Sequence, residues 1–337
     1  MVGRGARAHT GRVTVFVLRR LLWTIPVLLV VVTAIFFMMR AIGGDPFRHG
    51  PLVGLANTEQ GRWTKYGDWQ PPGIRQAQRH KYGLDLPWYE QYVNFLEGVA
   101  TFDYGPSLSF RNRSVNEILE EHVPPSLELG FLAFLWAFGL GIPLGVLAAA
   151  RQGSALDAAI RLFSSLGFAV PSFLVASVLI YLFGVRLGLL PTNGWTQGWQ
   201  YKILPSFTLG LLPLALCTRL VRGATLEALH EEYVMAARAK GLRRRRILFG
   251  HVLRNSLVPV VTVAAPLLGY LVTGSFVIEL LFSVPGIARY FVAATLARDY
   301  AVVLGITVLL AVLIVFANLV VDVVHAVLDP RIRTQGA

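Results

Sequence analysis

Two polar residues lie inside long apolar stretches of the sequence. Glu279 has aliphatic residues on both sides, and Asn318 lies in the last apolar run before the C-terminus. Polar and ionisable side chains within a membrane are costly, and they usually face a bundle interior, a cavity or a partner. If these stretches cross a membrane, both residues are therefore candidates for lining a translocation pathway through it. For Glu279 an alternative stays open, in which it is a structural hydrogen-bonding anchor near the outer interface, shortly before Pro285.

The other chemically active residue types are scattered along the chain. The seven histidines show no metal-ligand spacing, and the carboxylates are isolated from candidate bases and nucleophiles. The one cysteine, Cys217, excludes an internal disulfide and a cysteine-based metal site. The sequence has no Gly-Lys-Ser/Thr phosphate-binding loop. We therefore predict no catalytic residues, no metal and no cofactor in this chain, and any process driven by ATP would draw its energy from another subunit.

The composition is typical of a membrane protein. Hydrophobic residues make up 55% of the 337 residues and charged residues only 15%, whereas soluble domains carry about 25% charged residues. So few charges cannot cover the water-facing surface of a soluble chain of this length. The formal net charge of +12 would suit a nucleic-acid-binding protein, so the positions of the charges decide between the two classes.

Six apolar stretches are long enough, or nearly so, to cross a bilayer as helices, which takes about 20 residues. They are Leu21–Met39, Leu127–Ala150, Leu162–Leu190, Ser206–Val221, Leu257–Phe282 and Ala301–Val327. Several contain Pro or Gly, which transmembrane helices tolerate because neighbouring groups satisfy the freed backbone. The sequence thus predicts an all-α integral membrane protein with six transmembrane helices.

Basic residues cluster in two places, which the positive-inside rule assigns to the cytoplasm. One is the N-terminal tail, which has no acidic residue, and the other is the loop between the fourth and fifth spans, with Arg243–Arg246 at its centre. The net charge is then a topogenic and lipid-headgroup signal, and nucleic acid is excluded as a partner. We expect a multi-pass protein of the cell membrane (inner or plasma membrane) with both termini in the cytoplasm.

These patterns divide the chain into four parts. Residues 1–20 form a cytoplasmic tail, 21–39 the first transmembrane helix, and 40–125 an extracytoplasmic segment without basic bias. Residues 126–330 form a five-helix core, and this core contains a cytoplasmic loop at 223–257. That loop is much longer than a simple connection between two spans requires.

The loop at 223–257 has the pattern of two short helices. Gly241, placed after a basic last turn, predicts the end of the first helix. The apolar stripe of that helix consists of Leu226, Leu229, Tyr233, Ala236 and Ala237. Held between two spans, such a helix can act as a lever for a partner protein. The alternative is a surface helix resting at the headgroups, with Arg243–Arg246 bound to anionic lipid.

Several motifs, taken in order along the chain, resemble one family. The loop reads Glu232-Tyr-Val-Met-Ala-Ala-Arg-Ala-Lys-Gly-Leu242, followed by His251-Val-Leu-Arg-Asn-Ser-Leu-Val-Pro259. Further matches are Tyr82-Gly-Leu-Asp85, Pro125-Ser-Leu-Glu-Leu129 and Val277-Ile-Glu-Leu-Leu-Phe-Ser-Val-Pro-Gly286. These residues resemble the permeases of ATP-binding-cassette (ABC) importers, and most of all the first permease subunit of the dipeptide and oligopeptide branch.

The resemblance implies a type I importer permease fold with an extracytoplasmic segment after the first helix, and it implies a set of partners. These are a second related permease subunit, two cytoplasmic subunits that bind ATP and Mg, and an extracytoplasmic binding protein that delivers di- or oligopeptides. In the family, the first helix of the loop docks in a groove of an ATPase. The contact residues implied here are Glu232, Tyr233, Ala236, Ala237, Arg238, Lys240 and Gly241.

The sequence departs from the family pattern at two places. Met235 stands where the broader superfamily has a glutamate, and the segment around 48–79 is longer than the pattern requires. Nickel or an oligosaccharide is an alternative cargo within the same branch. A self-sufficient secondary transporter is an alternative class, although such proteins usually show inverted repeats, and none is visible here.

Overall fold

The computed structural model describes Leu22 and residues 25–41, 72–110, 113–272 and 275–328. The predicted tail at 1–20 and most of the long segment around 48–79 lie outside these residues. The part of the chain that is described is helical, apart from connecting loops and an isolated antiparallel bridge between Pro106 and Ser114.

The helices follow one another along the chain and are named here in that order. They are α1 Ile25–Ala41, α2 Pro72–Lys81, α3 Trp88–Thr101, α4 Val115–Ala150, α5 Ala155–Ala169, α6 Ser172–Leu179, α7 Gln200–Leu229, α8 Glu232–Ala239, α9 Arg244–Ile247, α10 Leu253–Ser256, α11 Val258–Val272, α12 Phe276–Leu281, α13 Ala288–Ala297 and α14 Tyr300–Leu328. Two π-helical stretches add to them: Ile180–Arg186 continues α6, and Leu248–Val252 joins α9 to α10.

The predicted spans fall on apolar helices, single or in bent pairs, except that the fifth span, Leu257–Phe282, covers only the second helix of its pair and then α12. In the described residues, α4, α7 and α14 are long and apolar enough to cross a membrane singly. Two bent pairs of helices are long and apolar enough when each pair is taken together. They are α5 with Ser172–Arg186, and Arg245–Ser256 with α11. The first predicted span corresponds to α1, which is a shorter apolar helix.

The predicted third span, Leu162–Leu190, is bent rather than straight. Ala155–Ala169 and Ser172–Arg186 make an angle of 111° with each other. The break falls at Val170, which is extended with φ −94° and ψ 123°, and at Pro171. The proline ring pushes the residue before it out of the helical region, so the chain cannot continue straight through this point.

The ends of the other spans also differ from the predictions. The predicted fifth span is divided, because α11 ends at Val272 and α12 is a separate short helix. α4 begins at Val115, well before the predicted Leu127, and α7 continues to Leu229, beyond the predicted Val221. Hydropathy marks only the apolar part of a helix, whereas backbone hydrogen bonding continues into the polar residues on either side.

The described residues form two compact units. The first contains residues 127–284 and those from 314 onward, and the second contains 25–41, 72–126 and 285–313. Within the first unit, α7 is the central helix: 61% of its most apolar window is buried, compared with 33% for α4.

Glycines bring α4 and α5 close to α7 in the first unit. A Cβ atom added at Gly145 of α4 would lie 2.6 Å from the Cβ of Val221. One added at Gly167 of α5 would lie 2.8 Å from the Cβ of Ala215. Real Cβ atoms do not approach so closely, so the contact between these helices depends on the missing side chains.

A buried carboxylate organises the second unit. Asp299 precedes α14 and accepts hydrogen bonds from the Ser107 hydroxyl at 2.5 Å and from the Ser109 N–H at 2.9 Å. It also accepts one from the N–H of Val302, in the first turn of α14, at 3.2 Å. Burial raises the pKa of the Asp299 carboxyl, and the Ser107 hydroxyl opposes that shift. The loop after α3 is thereby tied to the start of α14.

Candidate coupling site

The candidate site is built around α8. His230 and Glu231 separate it from α7, because Glu231 is extended with φ −68° and ψ 150°. Glu232 lies in the first turn and Arg238 in the last turn. An anion near the start and a cation near the end of a helix are both favoured by the helix dipole, so the charges of α8 match its direction.

The end of α8 is a Schellman motif. Gly241 adopts the left-handed conformation with φ +73°, and its N–H donates to the carbonyl of Arg238 at 2.9 Å. The N–H of Leu242 donates to the carbonyl of Ala237 at 3.2 Å. These two bonds satisfy carbonyls that would otherwise be unpaired. The predicted helix stop at Gly241 is confirmed.

The predicted apolar stripe is divided between two helices. Leu226 and Leu229 belong to α7, and only Tyr233, Ala236 and Ala237 belong to α8. The prediction of one helix carrying all five residues is therefore wrong. The five residues keep helical spacing in the sequence although the helix is broken between them. Spacing alone therefore could not reveal the break at His230 and Glu231.

One face of α8 packs on its own chain. Val234 and Ala237 are buried and belong to a cluster with Ile247, Leu248 and Val252. These contacts hold α8 against the helical segment that follows it. Of the predicted contact residues, Ala237 is thus turned inward, and Tyr233 is half-buried beside the same cluster.

The opposite face of α8 is open. The exposed members of the predicted set are Glu232, Ala236, Arg238, Lys240 and Gly241. Met235 lies among them with 56% of its surface exposed, and Phe249 in the π-helical stretch is 62% exposed. Sequence reasoning missed both as surface residues. The sequence did contain a signal for this. Met235 and Phe249 directly follow the buried residues Val234 and Leu248, and adjacent residues of a helix do not share a face.

A cavity of about 500 Å³ lies beside α8. Its lining comes from the last turns of α4 and α7, from the loop after α4, from the residues between α7 and α8, and from α8. The lining residues are Ala149, Ala150, Arg151, Gln152, Ser154, Leu226, Leu229, His230 and Arg238. The end of α8 and the loop between α4 and α5 therefore face the same space.

A buried ion pair that sequence reasoning missed holds this loop. Asp157 of α5 is 1% exposed, and its two carboxylate oxygens accept from Nε and Nη2 of Arg222 at 2.7 and 2.9 Å. The N–H of Gly153 donates to the same carboxylate at 3.1 Å. Ser154 caps α5 by accepting from the N–H of Asp157. The Ser-x-x-Asp pattern before an apolar run is the sequence signal for such a helix start.

The two predicted pathway residues lie in the first unit and on different helices. Glu279 is fully buried in α12, and Asn318 is half-buried in α14. Complete burial within its own chain favours the structural-anchor alternative for Glu279. The pathway roles of both residues stay predictions.

Comparison with known proteins identifies the class of this chain. Residues 141–334, more than half of the sequence, match the family described as binding-protein-dependent transport system inner membrane component. The chain belongs to this family of ABC importer permeases, and the predicted all-α membrane fold of type I importers is confirmed. Members are membrane-spanning, non-catalytic subunits of systems that also contain ATPase and substrate-binding proteins.

The relatives of this chain include permeases named for peptide transport. The oligopeptide transport system permease protein OppB of Haemophilus influenzae is 38% identical over 319 residues, covering 94% of this chain and 99% of the relative. OppB of Salmonella typhimurium is 39% identical over the same length. The dipeptide transport system permease protein DppB of Bacillus subtilis is 38% identical, covering 91% of this chain and 94% of the relative.

A weaker similarity links the chain to a solved structure. It is an inward-facing conformation of the MetNI methionine ABC transporter, in the CY5 native crystal form, with 20% identity and a TM-score of 0.49. The match covers 63% of this chain and 96% of the other chain.

Proposed function

We propose that this chain forms the translocation pathway for di- or oligopeptides in an ATP-driven importer, with the peptide delivered by an extracytoplasmic binding protein. One observation carries the proposal: 94% of this chain aligns with 99% of an oligopeptide permease at 38% identity. A match over nearly the full length of both chains supports a shared role for the whole molecule and not merely for one segment.

In this proposal, a cytoplasmic ATPase presses on the open face of α8. The ATPase contacts five residues directly, and their exposure supports this role. They are Glu232, Ala236, Arg238, Lys240 and Gly241. The small residues let another surface approach closely. Tyr233 and Ala237 contribute mainly by holding α8 in place, because they pack toward the cluster beneath it.

The displacement of α8 reaches the membrane helices by two routes. On one side, only His230 and Glu231 separate α8 from α7. On the other side, α9, the π-helical stretch and α10 lead almost continuously into α11. A push on α8 therefore moves α7 and α11, and the pathway changes between inward-open and outward-open states.

The proposed assembly contains a second, related permease subunit, two subunits that bind ATP and Mg, and an external binding protein. Both termini and the loop at 223–257 face the cytoplasm, residues 40–125 face the outside, and residues 126–330 form the core. The basic tail and Arg243–Arg246 contact lipid headgroups. Asn318 is the polar residue proposed to line the pathway. Glu279, which is fully buried, is proposed to act beside it as a structural anchor, and no cofactor is proposed for this chain.

Reconstitution of the assembled complex in liposomes tests the proposal. Uptake of a labelled tripeptide should require ATP, the binding protein and both kinds of permease subunit. Liposomes that contain the permease subunits without the ATPases are the control. Peptide uptake in that control would favour a secondary transporter, and ATP-dependent uptake of nickel or an oligosaccharide without peptide uptake would overturn the peptide cargo.

A further inference from the structure

The ion pair between Asp157 and Arg222 lies where α5 begins and α7 approaches its end. A carboxylate that is 1% exposed is costly unless it is paired and hydrogen-bonded. The bidentate geometry with Arg222 satisfies both oxygens. Two parallel hydrogen bonds fix the relative orientation of the two side chains in addition to pairing their charges. The pair therefore restrains α5 against sliding along α7, which apolar packing alone does not do.

Asp157 is also linked to residues that line the cavity beside α8. Through Gly153 and Ser154, Asp157 orders the loop between α4 and α5. Ser154 lines the cavity beside α8, and so do His230 and Arg238. Asp157 thus joins α5 to α7 through its carboxylate, which binds Arg222. It also holds one wall of the cavity through its backbone N–H, which donates to Ser154.

A second contact fixes α5 to α7 further along both helices. Gly167 of α5 lies against Ala215 of α7 so closely that a Cβ at position 167 would be 2.8 Å away. α5 is therefore held at one point by close packing and at another by the ion pair. α5 is also the first half of the pair of helices bent by 111°, so its movement reaches α6 through the bend.

We propose that Asp157 and Arg222 are positioning residues that make α5 follow α7 when α8 is displaced. This inference rests on the proposed role of α8 as the docking helix of an ATPase. Without the pair, an ATPase can still dock on α8 and hydrolyse ATP, but the motion of α7 no longer carries α5 and α6 with it. The pair therefore affects the amount of cargo moved for each ATP hydrolysed.

The test is peptide uptake per ATP hydrolysed, measured on the complete complex in liposomes. Asp157→Asn and Arg222→Gln should keep ATPase activity and lose about tenfold in uptake per ATP, a change within the usual range of coupling between sites. Arg161→Gln is the matched control. Arg161 also approaches Asp157, at 3.6 Å, but it is 57% exposed, and the ratio should stay at the wild-type value.

A third variant separates positioning from general stability. Arg222→Lys keeps the charge and removes the planar fork, so its uptake per ATP should lie between those of the wild type and Arg222→Gln. If Asp157→Asn and Arg222→Gln do not assemble, the uptake per ATP of Arg222→Lys tests the inference by itself. Parallel losses of assembly, ATPase activity and uptake with an unchanged ratio would mean that the pair only stabilises the fold, and the inference would be overturned.

The two proposals fail in different ways. A wild-type complex without ATP-dependent uptake rejects the proposed function of the chain. A wild-type complex that transports peptide, together with unchanged ratios in all three variants, rejects only the role of Asp157 and Arg222.

Discussion

The backbone of Gly241 determines where α8 ends. Its φ of +73° lies in the left-handed region, which costs an L-residue with a side chain about 1–2 kcal/mol. A Cβ atom at this position would meet no other atom within 4 Å. The restriction therefore comes from the backbone conformation and not from lack of space, so the short side chains that tolerate this conformation can be compared at this position.

Gly241→Asp should reduce uptake to background while the chain still inserts into the membrane. The aspartate places a negative charge near the C-terminal end of α8, where the helix dipole disfavours it, and on the face proposed to contact the ATPase. Gly241→Asn is the matched control, because asparagine and aspartate have similar size and tolerate this conformation alike, so only the charge differs and uptake should be lost less completely. Uptake is measured in cells with equal amounts of the variants in the membrane; normal uptake by Gly241→Asp would contradict the lever role of α8.

Close helix contacts define the elements of the first unit. Gly145 of α4 lies so near α7 that an added Cβ would be 2.7 Å from the carbonyl oxygen of Thr218. Gly145→Ala should therefore destabilise the protein by about 1–3 kcal/mol, as overpacking does in other cores. Gly139→Ala on the same helix is the control, since its Cβ would meet nothing within 4 Å.

Thermal unfolding of the purified variants in detergent measures this difference. The melting temperature should fall for Gly145→Ala and stay equal or rise for Gly139→Ala, because alanine is the better helix former. Equal melting temperatures would show that α4 and α7 separate easily at this contact.

The elements themselves were predictable to different degrees. Long apolar runs located α4, α7 and α14, and the Lys240-Gly241 pair located the end of α8. The bend at Pro171 and the break at Glu231 were not predicted, because hydropathy averages over a window and does not resolve single backbone angles. Arg222 could not be matched with Asp157 from the sequence, since pairing across two helices depends on their register.

At the scale of the whole molecule, the predicted orientation places the start of α7 and the loop at 223–257 on opposite sides of the membrane. Trp199 precedes α7 and is 75% exposed, and Asn255 in α10 is exposed. A cysteine at position 199 should react with a membrane-impermeant maleimide in intact cells. A cysteine at position 255 should react only in inside-out vesicles.

The chain offers a convenient background for this labelling. Its single cysteine, Cys217, is 2% exposed and should not react in either preparation. Trp199→Cys and Asn255→Cys then serve as controls for each other. The reverse labelling pattern would place the loop at 223–257 outside the cell, where no ATPase could reach it.

Because α8 packs against its own chain, it should already be ordered before another protein binds to it. Val234 and Ala237 are buried on the chain's own cluster, and the hydrogen bonds of Gly241 and Leu242 close the helix end. The entropy of ordering this segment is therefore lost during folding of the chain and not at the encounter with another protein. Association should then proceed as a rigid docking step without a coupled folding transition, and its heat-capacity change should reflect only the apolar area covered.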